Sequence, residues 1–206
     1  MTVKRSVKRL LQYRLFLLRL KELGFKRVYS HYIADEIGVS SEQVRKDFSL
    51  NGIKGMKKAG YEIVSALEVL NEIFGRSEIR NVILMGLGNL GRAMLHNNKN
   101  FLINKFQIIA AFDINPNKRK VIESVPVYKP ENLQSVIKKY NVTVAILTVP
   151  SISAQLVCNS LVEAGITAIL SFAPVVLKVP KHVTVNNVNL CNELEATTFT
   201  AKFKSK

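Results

Sequence analysis

The sequence predicts an α/β fold in two parts: a helical N-terminal domain over residues 1–78 and a doubly wound parallel sheet over residues 79–206. Three observations predict it. Apolar residues at helical spacing give way near residue 80 to short apolar runs that alternate with helical segments. Positive charge is concentrated at the front, because residues 1–60 hold 14 Lys or Arg against 5 Asp or Glu. A glycine-rich stretch, GLGNLG, follows the first apolar run of the second part.

Composition limits the class of protein. The chain has 206 residues, of which 48% are hydrophobic, enough for two small domains with cores of their own. No apolar run approaches the roughly 18 residues of a membrane-spanning helix. Cys158 and Cys191 lack metal-ligand spacing, so we expect two reduced, buried thiols in a cytoplasmic protein without a metal or a membrane partner. The net charge of +15 favours a polyanion such as nucleic acid, the alternative being a solvated basic surface.

Two longer helices are predicted at the beginning and at the end of the N-terminal domain. The first lies in the segment VKRLLQYRLFLLRLKEL and ends at Gly24. Its predicted apolar face consists of leucines at helical spacing: Leu10, Leu11, Leu15, Leu17 and Leu18. The second, YEIVSALEVLNEIFG, is amphipathic and ends at Gly75, and the polar connector RSEIR follows it.

Between these helices the sequence predicts a helix-turn-helix. One short helix runs from Ser30 to a break at Gly38, and the next begins at Ser40 or Ser41. Ser40 with Gln43 three residues later is typical of a capping box at a helix start. Two short helices joined by a tight turn that contains glycine form the DNA-binding motif.

The second of these helices is the predicted recognition helix. Val44 and Phe48, four residues apart, define its buried face. Steps of about 100° per residue place Glu42, Arg45, Lys46 and Ser49 on the opposite side. Arginine, lysine and serine read base edges and hold phosphates. The candidate DNA contacts of this helix are Ser41, Gln43, Arg45, Lys46 and Ser49.

The segment NGIKGMKKAGY, residues 51–61, predicts the wing of a winged helix. Its glycines permit tight turns, and Lys54, Lys57 and Lys58 cluster near the tip, where a β-hairpin reaches the DNA backbone or minor groove. The alternative is an ordinary flexible loop.

The second part has a Rossmann-like pattern. Apolar runs NVILMG, FQIIAAFDI, VTVAILTV and TAILSF predict parallel strands buried on both faces, with helices at 90–99, 130–140 and 151–164. Gly86, Gly88 and Gly91 form GxGxxG between a strand and a helix: the first for a tight turn, the second for close approach of a pyrophosphate, the third for helix–strand packing. Asp113, 22 residues after Gly91, predicts ribose binding and favours NAD(H) over NADP(H), although Lys118, Arg119 and Lys120 follow it. The alternative is a glycine turn without a ligand.

Nothing in the sequence supplies the acid–base group of a dehydrogenase. His31, His96 and His182 all lie away from the predicted carboxyl ends of strands. The second part also leaves no room for a substrate domain. The sequence therefore predicts a dinucleotide sensor and not an enzyme.

The motifs QVRKDFS, GIKGMKKAGYEI, GLGNLGRAM, FDINP, ILTVP, ILSFAPVVLKVP and VNNVNLCNELE occur in the order and spacing of the Rex family. The chain resembles these bacterial redox-sensing transcriptional repressors over essentially its whole length. The resemblance implies a homodimer whose winged helices bind a palindromic operator and whose Rossmann domains bind NADH and NAD⁺ competitively. It also implies a C-terminal helix, about 190–203, that swaps onto the partner subunit, and release from DNA on NADH binding.

The resemblance assigns residues in both domains. Arg45 and Lys46 match the family's recognition-helix pair, and Lys57 and Lys58 match the wing tip, where the family usually has Arg-Gly. Phe172, Ala173 and Pro174 match the nicotinamide side. The complete set of expected NAD(H)-binding residues is Gly86, Leu87, Gly88, Asn89, Leu90, Gly91, Asp113, Thr148, Val149, Pro150 and Phe172.

Some positions depart from the family pattern. Leu50 and Asn51 replace the usual Tyr-Phe. The family's Arg, Tyr and Asp switch residues correspond to Leu15, Asn97 and Asn189 here. Loss of the cation together with the carboxylate is physically consistent, since an unpaired buried charge is costly.

Two alternative functions stay open. One is a DNA-binding regulator whose NADH response is altered or lost, or which responds to another nucleotide such as coenzyme A. The other is a small NAD-dependent oxidoreductase with a basic helical appendage.

Overall fold

The computed structural model describes residues 3–57, 59–75, 78–115 and 121–204. The chain divides into two compact units between Glu78 and Ile79.

The N-terminal unit is helical with a minimal sheet. Its elements are α1 (Val3–Glu22), β1 (Arg27–Val28), α2 (Ser30–Ile37), α3 (Ser41–Leu50), β2 (Tyr61–Glu62) and α4 (Ile63–Ile73). Strands β1 and β2 pair antiparallel, with Arg27 opposite Glu62. Helices α2 and α3 are separated at Gly38, which adopts the left-handed conformation as predicted for the break.

The prediction of the apolar face of α1 is wrong at Leu15. Leu10, Tyr13 and Leu17 are buried, whereas Leu15 is 60% exposed. A helix with leucine at so many positions offers more than one apolar stripe, so spacing alone does not select one. The buried stripe includes Tyr13, whose hydroxyl donates to Asp47 of α3, a contact that leucine spacing does not indicate.

The C-terminal unit is a doubly wound sheet, as predicted. Its strands are β3 (Arg80–Met85), β4 (Phe106–Phe112), β5 (Val121–Ile122), β6 (Val125–Tyr128), β7 (Val144–Leu147), β8 (Ala168–Ser171) and β9 (Thr184–Asn187). The sheet order is β5-β6-β4-β3-β7-β8-β9. All neighbours pair parallel except β5 and β6. The sequence pattern missed β5, which has only two residues, β6, which contains a proline, and β9, which carries polar residues.

Helices cover both faces of this sheet. They are α5 (Asn89–His96), α6 (Asn98–Ile103), α7 (Leu133–Tyr140) and α8 (Ser151–Glu163). Helix α9 (Leu190–Lys204) follows β9, and its described side chains are exposed. Alternate residues of β3 enter different cores: Ile83 packs in the cluster with Val136 of α7, and Leu84 in the cluster with Leu95 of α5. This two-sided burial explains the continuous apolar strands.

The helix predicted over 90–99 is broken into α5 and α6 at Asn97. Asn98 explains the break, because its amide donates to the Ile108 carbonyl (3.0 Å) and accepts from the Ile108 N–H (2.9 Å). This pair of bonds ties the start of α6 to strand β4 and turns the chain away from the axis of α5.

Candidate functional site

A cleft of about 590 Å³ lies at the carboxyl ends of β3, β4 and β7. Strand β3 is flanked by β4 on one side and β7 on the other, so the direction of winding reverses here. In open α/β sheets, ligands bind at this switch point. The first turn of α5 opens onto the cleft through Asn89 and Leu90, and its backbone N–H groups have no partners within the helix.

The three glycines have different local roles. Gly86 has φ +100°, and a Cβ there would lie 3.0 Å from the backbone of Thr148. A Cβ at Gly91 would collide with the carbonyl oxygen of Gly86, so only glycine permits this packing of α5 on the strand end. A Cβ at Gly88 would meet no protein atom within 4 Å. The predicted turn and packing roles of Gly86 and Gly91 are confirmed, and Gly88 borders open space.

Hydrogen bonds fix the loop that carries these glycines. The Asp113 carboxylate accepts the Leu87 N–H at 2.7 Å and the Asn115 N–H at 2.9 Å. Arg92 donates through Nε to the Leu87 carbonyl at 3.0 Å. From the other side, the Thr148 hydroxyl lies 2.9 Å from the Gly86 carbonyl oxygen. Asp113 therefore holds the loop and keeps lone pairs for a further donor.

Most of the expected cofactor residues come together here. Those that line the cleft are Gly86, Leu87, Gly88, Asn89, Leu90, Asp113, Thr148, Val149 and Pro150. Gly91 lies in the buried part of α5. Phe172 does not line the cleft; it is half-buried and packs in the core cluster that contains Leu95. Lys118, Arg119 and Lys120 lie outside the described residues.

Sequence reasoning missed part of the lining. Ile114 and Asn115 directly follow Asp113, so their place after a strand was a usable signal. Ser153 and Val157 follow Val149 at helical spacing and bring one face of α8 to the cleft. Pro130 carried no such signal, because strand β6 before it was not predicted.

The described lining of the cleft is largely uncharged. Among its described lining residues, Asp113 is the one titratable side chain, and two backbone N–H groups occupy it. The histidines of the described chain do not line it. Within the same residues, no group of three or more His, Cys, Asp or Glu is arranged to hold a metal ion.

Helix α3 presents the predicted outward face. Val44 and Phe48 are fully buried, and Arg45, Lys46 and Ser49 are exposed. Ser40 caps the helix through the Gln43 N–H at 3.1 Å, so the predicted capping residue is confirmed. Ser41 and Gln43 are half-buried.

A buried ionic network fixes α3 against α1. Arg9 donates through Nε and Nη2 to Asp47 at 2.7 and 2.9 Å. Tyr13 donates to the same carboxylate at 2.9 Å, and Gln43 donates its side-chain amide at 2.8 Å. In a capping box the Gln43 side chain would turn back to the Ser40 N–H; instead it serves Asp47.

The network shifts the ionisation of its members. Burial by itself would raise the pKa of Asp47, but hydrogen bonds from Arg9, Tyr13 and Gln43 lower this pKa below its ordinary value. Burial, together with the Asp47 carboxylate, raises the pKa of Tyr13 to about 12. Hydrogen bonding to Asp47 raises the pKa of Arg9. The charged pair is therefore the stable form across the physiological range.

The predicted wing is a short turn. Met56 and Gly60 form an isolated antiparallel bridge, in place of a longer hairpin. Lys54 and Lys57 are exposed, and Lys58 lies outside the described residues. The missing strand length has a simple cause, because Gly52, Gly55 and Gly60 divide a segment of eleven residues.

The three switch positions that depart from the Rex pattern have different local settings. Leu15 is exposed on α1. Asn97 forms the end of α5 and accepts a hydrogen bond from the Asn100 amide. Asn189 caps α9: its side-chain oxygen accepts the Cys191 N–H at 3.0 Å and the Asn192 N–H at 3.3 Å. An aspartate would cap a helix equally well.

The two cysteines differ from the expectation that both are buried. Cys158 is buried in α8, and burial raises the pKa of its thiol. Cys191 is exposed, because it lies in the first turn of α9, whose described side chains are all exposed. Across the described residues, no helix is both long enough and apolar enough to cross a membrane.

Comparisons with known families cover both units. A family model described as "CoA binding domain" matches residues 77–175, and one described as "Putative DNA-binding protein N-terminus" matches residues 4–49. The chain is similar to solved structures of RSP, a Rex-family repressor. The complex of RSP with NAD⁺ and operator DNA has a TM-score of 0.91 at 31% identity, covering 100% of this chain and 94% of that one. The complex with NADH has a TM-score of 0.87 at 30% identity, covering 100% and 96%.

Named relatives match over nearly the whole chain. A redox-sensing transcriptional repressor Rex from Lactobacillus acidophilus is 39% identical over 194 residues, covering 93% of this chain and 91% of the relative. The protein of the same name from Pelotomaculum thermopropionicum is 40% identical over 195 residues, covering 94% and 91%. With its glycine-loop cleft, its basic α3 face and relatives matched from end to end, the chain belongs to the Rex family.

Proposed function

We propose that this protein is a transcriptional repressor that binds operator DNA through its N-terminal domain (1–78), senses the NADH/NAD⁺ state through its Rossmann domain (79–206), and leaves DNA when NADH binds. The observation that carries the proposal is the switch-point cleft, where a glycine loop and a carboxylate meet without a second titratable side chain among the described lining residues. Such a cleft recognises a dinucleotide without reacting with it, so the proposed protein is not an enzyme.

Recognition of NAD(H) is assigned to two features of the cleft. The first-turn N–H groups of α5 and the open space at Gly88 would hold the pyrophosphate. The Asp113 carboxylate would accept hydrogen bonds from ribose hydroxyls, and its charge would repel a 2′-phosphate. Bound NAD(H) acts here as a regulatory ligand and supplies no hydride.

DNA recognition is assigned to the exposed face of α3 and to the wing. Arg45 and Lys46 would enter the major groove, with Ser41, Gln43 and Ser49 beside them. Lys54, Lys57 and Lys58 would contact the backbone. The Asp47 network supports this assignment, because it fixes α3 while leaving its basic side exposed.

We infer a homodimer, which a palindromic operator requires. Helix α9 supports it: its described side chains are all exposed, among them Leu190, Leu194 and Phe199. An isolated helix of this length is marginally stable in water and needs a surface to pack on. A second copy provides that surface, and the cytoplasm, where DNA and NAD(H) occur together, is the proposed location.

The coupling between NADH and DNA would not use an ion pair at the family's switch positions. Leu15 and Asn189 carry no charge, and Asn189 is already engaged as a helix cap. Any response must then come from unequal affinity of NADH for the DNA-binding and released conformations.

The test is fluorescence anisotropy on a palindromic duplex of the Rex type, with NADH titrated at fixed NAD⁺. We expect sequence-specific binding and release by NADH. Arg45→Ala serves as the DNA-binding control and Gly88→Val as the ligand control. Absence of a specific complex refutes the repressor; a specific complex indifferent to NADH refutes the sensor.

A second ligand is favoured by one observation, the match of residues 77–175 to a CoA-binding family model. Thermal shifts with NADH, NAD⁺, coenzyme A and ATP separate the candidates. A ligand at 100 times its Kd adds about 2.7 kcal/mol to the free energy of unfolding. A shift with coenzyme A and none with NADH would reassign the cleft.

A further inference from the structure

Three aromatic rings form an exposed cluster at the start of α2. The His31 ring lies 5.7 Å from the Tyr29 ring and 4.2 Å from the Tyr32 ring, and the two tyrosines are 6.5 Å apart. Tyr29 is 43% exposed and Tyr32 is 58% exposed. Neighbouring Ile33 and Ala34 are buried, so α2 already has a core face, and this aromatic cluster lies outside it.

The aromatic cluster adjoins the wing and the recognition helix. The ring of Tyr29 packs on Gly60, where an added Cβ would lie 3.2 Å from it. Tyr29 also lines a cleft of about 320 Å³ together with Ser30, Arg45 and Lys57. Within this cleft Arg45 donates to the Ser30 hydroxyl at 3.3 Å. The cluster is therefore continuous with the surface assigned to DNA.

The charge of the cleft beside Tyr29 favours an anionic partner. The described residues that line the cleft include two cations, Arg45 and Lys57, and neither aspartate nor glutamate. Arg27, at the base of the wing, is exposed and donates to the Met56 sulfur at 2.8 Å. Flat rings with hydroxyl donors at the edge of such a surface fit the sugar–phosphate backbone of a duplex.

We propose that the aromatic cluster Tyr29–His31–Tyr32 is a second DNA contact, which packs on the sugar–phosphate backbone beside the bases read by α3. The Tyr32 hydroxyl donates a hydrogen bond to a phosphate oxygen, and the rings of the cluster cover the adjacent sugars. This inference rests on the proposed DNA-binding function and extends it to a surface outside α3 and the wing.

The proposed contact has a distinct signature. A backbone contact contributes equally to operator and to unrelated duplex, because phosphates carry no sequence information. An uncharged hydroxyl releases no counterion, so it leaves the salt dependence of binding unchanged. A lysine contact such as Lys57 instead changes the slope of log K against log salt by about 0.9 per phosphate.

The experiment measures affinity for operator and unrelated duplexes over a range of salt concentrations. Tyr32→Ala is expected to weaken both complexes about fivefold with an unchanged salt slope. Tyr32→Phe, which keeps the ring, should lose about two- to threefold. Phe25→Ala removes an equally exposed ring outside the aromatic cluster (55% exposed) and should bind as the wild type does. Lys57→Ala is the positive control for the salt slope.

Each outcome decides one question. Unchanged affinity of Tyr32→Ala for both duplexes, with operator binding intact in the wild type, overturns the cluster and leaves the repressor standing. A loss confined to the operator also overturns it, because the cluster would then read bases. If the wild type binds both duplexes equally, the proposed repressor fails, while an equal loss in Tyr32→Ala still supports a backbone contact.

Discussion

The loop between Gly86 and Gly91 is held by close backbone packing, whereas helix α3 is held by a buried charge. In the loop, a missing side chain lets α5 approach Thr148 and the strand end. In α3, Asp47 accepts four hydrogen bonds from side chains of α1 and of its own helix. The loop should therefore be sensitive to added volume. The position of α3 should be sensitive to the loss of the Asp47 carboxylate, which accepts these four hydrogen bonds.

Asp47→Asn is expected to have the largest effect. Removal of the carboxylate leaves Arg9 buried without its counter-charge, which costs about 3–5 kcal/mol of unfolding free energy. Chemical denaturation measures it. Glu36→Gln is the matched control, because the Arg19–Glu36 pair is exposed and 3.5 Å apart; its cost should stay below about 1 kcal/mol. Equal costs for the two variants would contradict the role given to the buried pair.

The same network predicts two limits of stability in pH. Because the folded pKa of Asp47 is lowered, its contribution is present above the unfolded pKa of about 3.9 and is lost as pH falls through the folded value. Because the folded pKa of Tyr13 is raised to about 12, its contribution is present below the unfolded pKa of about 10 and is lost as pH rises toward 12. Tyr13→Phe should flatten the alkaline limb in a pH series of thermal melts. It should also weaken the acid limb, because it removes one of the hydrogen bonds that lower the pKa of Asp47.

Gly91→Ala should cost about 2 kcal/mol, because the new Cβ collides with the Gly86 carbonyl oxygen. Gly88→Ala should cost less than about 1 kcal/mol, since its Cβ meets no protein atom within 4 Å and the cost is that of an altered helix N-cap. Urea denaturation compares the stability of the two alanine variants. Equal stability would contradict the packing role of Gly91.

Gly88→Val tests ligand binding at the same position. Unchanged NADH affinity of this variant would contradict the pyrophosphate site.

This contrast also explains which features the sequence could predict. The positive φ of Gly86 and the contact of Gly91 with the Gly86 carbonyl are local features of a strand–turn–helix, so the motif was sufficient to predict them. The buried face of α1 includes the contact between Arg9 and Asp47, which are 38 residues apart in sequence. The spacing of the leucines does not indicate that contact. Phe172 was expected at the cleft from the resemblance, yet its side chain packs in the core. The placement of the Phe172 side chain depends on the order of the strands in the sheet, and a local sequence pattern does not determine that order.

Arg45→Ala should lower affinity for the operator by about 1–3 kcal/mol and relax specificity at one base position. The side chain is exposed and its described bond, to Ser30, is long, so the unfolding free energy should change by less than about 0.5 kcal/mol. Anisotropy titrations on operator and scrambled duplexes measure the ratio. An unchanged ratio would refute the assignment of α3 as recognition helix.

Asn189→Asp should have the smallest effect. Asn189 caps α9 through two backbone N–H groups, and asparagine and aspartate cap helices about equally, so helicity should change by an amount worth less than about 0.5 kcal/mol. Asn189→Ala is the matched control and should lose about 1 kcal/mol of helix stability, visible as lower ellipticity at 222 nm. The comparison separates capping from charge at a position where the resemblance to Rex implies aspartate. If Asn189→Asp keeps the helix and changes only the NADH dependence of DNA release, the carboxylate acts in coupling. If neither variant alters helicity, the cap contributes nothing, and the conformation of α9 is set by the surface on which it packs.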